Sequence, residues 1–318
     1  VKRRTVVAVG VLACTVAMLG SGATSIAEQP AGSALVVEGE VSSSAQAFID
    51  RQNRFGAMET GPERIDLYAD AIFDEHSTLW EAAGSVIQGR AAIRAAITGS
   101  LTKLPSFRMG PTRIAVDGNV VLYGAHNEVT VQGNAISYPA IYRVVLGDDG
   151  RVIQGHRYYD RYTWFSGLDP ELESLFEGVR DTTGRLPGTG AAPDDPTARA
   201  AAWNARDAAA LVAPTGNAPL TGTGLGDGRL GTPGGKVTYL QRLFGSVTSL
   251  HVEPGQVVRT READYYEWYG TVTTPDRPSP TSFGIIERFD RRNGWTLYFD
   301  TLPLIAGPAK VAELYGRL

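Results

Sequence analysis

A histidine, a tyrosine and an aspartate alternate near the middle of the chain, at His156, Tyr158 and Asp160. In a strand, residues two apart point the same way. Val152, Gln154, His156, Tyr158 and Asp160 would then share one face, and Ile153, Gly155, Arg157, Tyr159 and Arg161 the other. An imidazole, with an ordinary pKa of about 6.5, suits acid–base work near neutrality, and a neighbouring carboxylate fixes its tautomer. We therefore expect the first set to face inward, with His156 and Asp160 as candidate catalytic groups and Tyr158 as a binding contact. Hydrogen bonding at the sheet edge is the other use such residues find.

Further candidates lie on other segments. Asp74 and His76 follow a helix that carries Tyr68. We read Asp74 as a catalytic candidate and Tyr68 and His76 as binding contacts. An Asp-x-His pair also suits a metal, but the chain has 4 histidines and no second paired motif, so we expect no metal and no cofactor. His126 and Glu128 share a parity and face either the cavity or solvent together. Tyr123, Tyr138 and Tyr142 read first as core or rim aromatics, and Tyr123, Tyr142 and His126 are kept as binding candidates.

Positioning these groups requires helices followed by strands. Apolar spacing predicts a helix over 42–58 through Ala45, Phe48, Ile49, Gln52 and Phe55, a second after Pro62, and a third over 91–104, opened by Gly89 and stopped by Pro105. Strands follow at 113–116, 120–131, 136–146 and 152–165, separated by Asp117-Gly118, Gly133-Asn134 and Asp148-Asp149-Gly150. Helices succeeded by an antiparallel meander give an α+β cone, with its cavity between the concave sheet and the helices.

The third helix is echoed later in the chain. Residues 89–104 read GRAAIRAAITGSLTKL and 235–250 read GKVTYLQRLFGSVTSL, and Tyr123-Gly124 is matched at the same offset by Tyr269-Gly270. This predicts two tandem cone-shaped domains, 42–165 and a divergent 197–318, joined by a linker 166–196 with a short helix after Asp169. In the second copy, strands are expected at 257–260, 265–272, 283–290 and 295–302, with His251 at a helix end. The glycine-rich stretch 214–235 lacks periodicity and reads as a flexible loop, a lid or a decayed element. Matching the chain ends pairs Asp300 either with Asp160 or with His156.

Lys2-Arg3-Arg4, the apolar run 5–19 and the small residues ending at Ala27 predict a signal peptide, 1–27, and hence a secreted or extracytoplasmic protein. A flexible segment 28–41 is expected to follow. Cys14, the chain's 1 cysteine, lies inside the signal, and lipoprotein anchoring through it is the lesser expectation. A net charge of −4 without a basic patch gives no footprint for nucleic acid, and no later apolar run is long enough for a membrane span.

Leu67-Tyr68-Ala69-Asp70, Phe73-Asp74, Trp80-Glu81, Gly89-Arg90-Ala91-Ala92-Ile93-Arg94, and Gly150-Arg151-Val152-Ile153 with Tyr158-Tyr159-Asp160 together resemble the SnoaL-like polyketide cyclases. These belong to the nuclear-transport-factor-2-like superfamily, with the ketosteroid isomerases, scytalone dehydratases and limonene epoxide hydrolases. The resemblance implies the cone fold and cofactor-independent isomerase, cyclase or dehydratase chemistry on a hydrophobic small molecule. A non-catalytic binding protein is the alternative. In ketosteroid isomerases a general-base Asp stands shortly before the glycine that opens the third helix. The matching position here is Trp80, a binding candidate, with Glu81 beside it as the carboxylate that would replace the Asp. Related domains pair through their sheets, which implies an intramolecular pseudo-dimer.

Overall fold

The computed structural model describes residues 35–81, 84–181, 195–291 and 294–318. The expected signal 1–27, with Cys14, and most of the loose stretch 184–196 lie outside the described residues. In chain order the first half contains β1 (Val36–Glu38), α1 (Ser43–Ala57), α2 (Pro62–Asp66), a π-helical stretch Leu67–Ile72, β2 (Phe73–Trp80), β3 (Val86–Gln88), α3 (Arg90–Lys103), β4 (Arg108–Asp117), β5 (Val120–Val131), β6 (Asn134–Leu146), β7 (Val152–Tyr159) and α4 (Tyr162–Phe165). The second half contains α5 (Pro196–Ala205), α6 (Ala208–Val212), β8 (Leu220–Gly222), α7 (Pro233–Gly245), β9 (Ser249–Arg259), β10 (Ala263–Thr274), β11 (Arg277–Asp290), β12 (Gly294–Tyr298), α8 (Leu302–Ile305) and α9 (Pro308–Gly316).

The strands build a 7-stranded sheet, ordered β1-β4-β5-β6-β7-β2-β3, and a 5-stranded sheet, ordered β8-β12-β11-β10-β9. This mixed α+β layout fits two domains. Each sheet is a four-strand meander whose last strand also takes an earlier strand in parallel, β2 on β7 and β8 on β12. Local chemistry accounts for the helix starts. The Ser42 hydroxyl accepts the Ala45 N–H to open α1, and Gly89, at φ 84, turns the chain into α3.

Several segments differ from expectation, among them 162–165, expected as the end of a strand and found as α4. Val36–Glu38, expected to be mobile, pairs with β4 and buries Glu38. The glycine-rich stretch contains β8 and the start of α7. Backbone pairing needs no apolar side chain, and at Gly222, φ 112, a Cβ would lie 2.0 Å from the Leu297 carbonyl. After Asp169 the chain makes turns rather than a helix, with the Asp169 carboxylate accepting the Glu171 N–H at 3.0 Å. His251 lies exposed within β9.

The outer faces of the two sheets meet. Trp80, Leu122, Ile141 and Tyr158 pack with Val258, Ala263, Tyr265 and Ile286 in one apolar cluster. At its edge the Arg143 guanidinium donates from Nε to both Glu267 oxygens at 2.9 Å, and Tyr158 donates its hydroxyl to Oε1 at 2.5 Å. His156 Nδ1 lies 2.7 Å from the same oxygen and 2.6 Å from Arg143 Nη2. A reciprocal set runs the other way. Arg288 of β11 reaches Glu38 at 3.2 Å, and Glu38 also accepts from Tyr265 and pairs with Arg113.

The chain ends cross in the same reciprocal manner. Asp160 accepts the N–H groups of Tyr162 and Thr301, and Asp300 those of Leu302 and Arg161. Each aspartate thus bonds its own second neighbour and the residue after the other aspartate, so Asp300 stands opposite Asp160 and not His156. Counting back through the ladders, Tyr142 pairs Arg157 where Glu287 pairs Leu297, and Tyr123 pairs Tyr142 where Tyr266 pairs Glu287. Tyr123 therefore corresponds to Tyr266. The echo with Tyr269 is out of register.

Glu267 and Arg143 are each 1% exposed. Removing one charge of such a pair leaves the other buried and uncompensated, at a cost of about 3–5 kcal/mol. Urea unfolding of Glu267→Gln should show a loss of about that size, and Arg143→Met/Glu267→Met should recover most of it.

Candidate functional site

The concave face of the first sheet and α3 enclose a cavity of about 380 Å³. Phe55 from α1, Ile97 and Leu101 from α3, and Phe107 and Met109 before and on β4 form its apolar wall. Facing them are Asn127 of β5, Tyr142 of β6, Arg157 and Tyr159 of β7, and Glu81, which directly follows β2. Arg157 and Tyr159 are two apart on one strand and so share its concave face.

Glu81 is the carboxylate of this cavity. Arg157 Nη1 donates to its Oε1 at 2.7 Å, and the Tyr159 hydroxyl reaches Oε2 at 3.4 Å. Burial pushes the Glu81 carboxyl up to about 7, against the opposing Tyr159 hydrogen bond and Arg161 charge. The Arg157 guanidinium lies 5.1 Å from the Tyr68 ring centroid and 5.4 Å from that of Tyr142, and burial lowers it to about 10. Tyr142 exchanges hydrogen bonds with Asn127, at 2.8 Å from Nδ2 and 3.1 Å to Oδ1. A carboxyl poised near neutrality beside fixed N–H and O–H donors can accept a proton and hold the negative charge that develops on a substrate oxygen.

Of the residues singled out in the sequence as site, core or rim groups, Glu81, Tyr138 and Tyr142 line this cavity. His156 and Tyr158 do not. They point from the opposite face of β7 toward the second sheet, so the parity expected for this strand is reversed beyond the irregularity that follows Val152, which itself faces the inner core. Trp80 packs beside them, 5.6 Å from the His156 ring and 5.4 Å from that of Tyr158. Asp160 sits where the chain ends cross and also accepts the Thr301 hydroxyl at 2.7 Å. Burial and the Asp300 charge raise its carboxyl to about 7, so it too is perturbed, but away from the cavity.

The remaining candidates serve local structure. Asp74 accepts the His76 N–H at 2.7 Å and the Ser77 hydroxyl at 3.1 Å in the bulge of β2, and His76 is exposed. His126 is exposed on the outer face and bonds Ser137. Tyr68 and Tyr123 belong to the core beneath α1, Tyr123 donating to Asn53 at 2.6 Å. Among the described residues no three His, Cys, Asp or Glu side chains converge as metal ligands. No helix among them is long and apolar enough to cross a membrane.

Arg157, Tyr159 and Arg161 were missed because the face holding Ile153, Gly155 and Arg157 reads as solvent-exposed. The signal that finds them is in β5. There Val120 to Tyr123 are all buried, whereas alternation with exposed residues begins only near His126. A strand end buried on both faces lies between two layers.

Among the described residues, buried side chains occupy the matching place in the second half. Glu287, in the place of Tyr142, accepts two bonds from Arg199 at 2.7 and 3.0 Å and one from the Trp268 indole at 2.9 Å. The Arg199 guanidinium lies over the Phe289 and Trp295 rings, and Leu297 stands in the place of Arg157.

Comparison with solved structures finds similarity of fold to SnoaL-like polyketide cyclases and nuclear-transport-factor-2-like proteins. A protein assigned as a SnoaL-like polyketide cyclase from Jannaschia sp. CCS1 is 13% identical, with a TM-score of 0.36, over 40% of this chain and 95% of its own. A nuclear-transport-factor-2-like protein of unknown function from Burkholderia pseudomallei gives 13% and 0.33, over 39% and 92%. An LEH-like epoxide hydrolase from M. tuberculosis gives 19% and 0.31, over 39% and 86%. No family model matches the sequence, and no curated protein does.

Below pH 4.5 Glu81 is protonated in both folded and unfolded chains. Between 4.5 and about 7 only the folded chain keeps the proton, so ionisation increasingly opposes folding as pH rises. The stability of the wild type relative to Glu81→Gln should therefore fall across this window and level off above it. Urea unfolding of both proteins along a pH series checks this, and a constant difference would contradict the raised carboxyl.

Proposed function

We propose that this protein performs cofactor-independent acid–base chemistry on a hydrophobic small molecule in the cavity of its first half. The observation that supports it is Glu81, a cavity carboxyl raised to about 7 and set between Arg157 and Tyr159. In this reading Glu81 takes a proton from the carbon next to a carbonyl. The enolate oxygen is held by Arg157, whose single bond to Glu81 leaves further N–H groups for it. Glu81 returning the proton to a different carbon isomerises the substrate; giving it to a departing β-hydroxyl, which leaves as water, dehydrates it; giving it to the oxygen of a second carbonyl as the enolate carbon attacks cyclises it.

We also read the chain as two tandem copies of one domain, paired through their sheets as an internal pseudo-dimer, with the second copy as scaffold. The reciprocal bonds of Asp160 and Asp300, and of Arg143 and Arg288, support this. The N-terminal basic, apolar and small-residue pattern supports export. A binding protein without turnover is the second reading. It is favoured by the 2.7 Å Arg157–Glu81 pair, which engages one of the two carboxylate oxygens.

Deuterium uptake by 2-tetralone, an apolar ketone with acidic α-hydrogens, tests the catalytic reading. Wild-type protein in D2O should accelerate exchange, Glu81→Gln should lose about 100-fold or more of that acceleration, and His156→Gln should retain it. Binding of the ketone without exchange would select the second reading.

A further inference from the structure

We propose that Tyr315, on the last helix of the second half, determines the size of ligand that the first-half cavity accepts; this rests on the reading of that cavity as a small-molecule site. Apart from Tyr315 and Leu318, every lining residue lies between Gln52 and Trp164. The wall is thus completed by a helix that belongs to the other sheet's half.

The ring is fixed from several sides. Its hydroxyl accepts from Arg161 Nη1 at 3.1 Å, and Arg161 in turn donates from Nε to Asp300 at 2.7 Å and from its backbone N–H at 3.0 Å. One cavity arginine of the first half is therefore gripped by two residues of the second. The ring meets Phe165 edge-on, with centroids 5.3 Å apart, and the Lys103 ammonium lies 5.6 Å from its centroid. A side chain held this firmly at a cavity wall presents a fixed surface, and fixed surfaces discriminate ligands by size.

The helix beneath it is held both by the apolar cluster that takes in Leu314, Val311 and Leu318 and by polar clips. In α9 only Leu314 is fully buried. Arg317 Nη1 donates to the Leu168 carbonyl at 3.0 Å, Gln132 donates to the Arg317 carbonyl at 2.8 Å, and Lys310 pairs with Asp169. Because these anchors flank Tyr315, exchanging its ring alters the wall without removing what holds the helix.

The test is a fluorescence titration of wild type, Tyr315→Phe, Tyr315→Ala and Tyr315→Trp with the bicyclic 2-naphthol and the tricyclic 2-hydroxyanthracene. The ratio of the two affinities should shift toward the tricyclic phenol by about tenfold or more in Tyr315→Ala. It should stay near wild type in Tyr315→Phe, which keeps the ring, and move the opposite way in Tyr315→Trp. Should Tyr315→Ala not fold, as judged by its urea transition, Tyr315→Trp decides. An unchanged ratio in the folded variants overturns the role of Tyr315 while leaving the cavity reading intact. Failure of the wild type to bind either phenol overturns both.

Discussion

The Glu267 carboxylate, buried between two sheets, is the interaction on which the rest of the structure depends. Burial alone would raise its pKa, yet the Arg143 charge and the His156 contact hold it at about 2, so it remains an anion inside the protein. Its oxygens accept from Arg143, Tyr158 and the Gln256 N–H, leaving little bonding capacity unused. An ion satisfied this completely tolerates only one alignment of the sheets, because a slip of one residue would strand it without partners. The Glu38 cluster, anchored by Arg288 from the opposite side, imposes the same alignment a second time.

That alignment divides the work of β7 between its faces. His156 and Tyr158 are committed to the sheet-to-sheet contact, and Arg157 and Tyr159 are thereby left on the concave face with Glu81. Two carboxyls that bond to opposite faces of this strand, Glu267 and Glu81, behave oppositely for one physical reason. Glu267 meets enough positive charge and hydrogen bonding to overcome desolvation, whereas for Glu81 desolvation prevails and the carboxyl rises to about 7. The first sets an anion in place as a structural bond; the second is a group able to change its proton near neutral pH.

The two sheets share a four-strand meander with a parallel strand on its last member, but the halves spend their interiors differently. Where the first half leaves space before Tyr142 and Arg157, the second has at the matching place Arg199, Glu287 and two fully buried tryptophans, Trp268 on Glu287 and Trp295 under Arg199. Close packing of this kind favours a rigid partner for the sheet contact. The second half still reaches the cavity at its far end, through Asp300 on Arg161 and Tyr315 in the wall.

Local patterns in the sequence were enough to place most of the framework. The stripe of Ala45, Phe48, Ile49 and Phe55, the Gly89 helix start and the turn glycines before β5, β6 and β7 determine α1, α3 and the meander, because periodicity and turn chemistry act within a few residues. Glu81 was reached by the resemblance to ketosteroid isomerases, counted back from Gly89, and not by a local pattern. What no local pattern contains is which face of a strand meets which layer. Both faces of β7 are covered, one by the cavity and the helices and the other by the second sheet, so polar and apolar residues occur on both and alternation carries no direction. Only the tertiary pairing of Arg143 with Glu267, residues far apart in the chain, decided that His156 belongs to the interface and Arg157 to the cavity, since a buried charge must find its partner wherever the fold brings one.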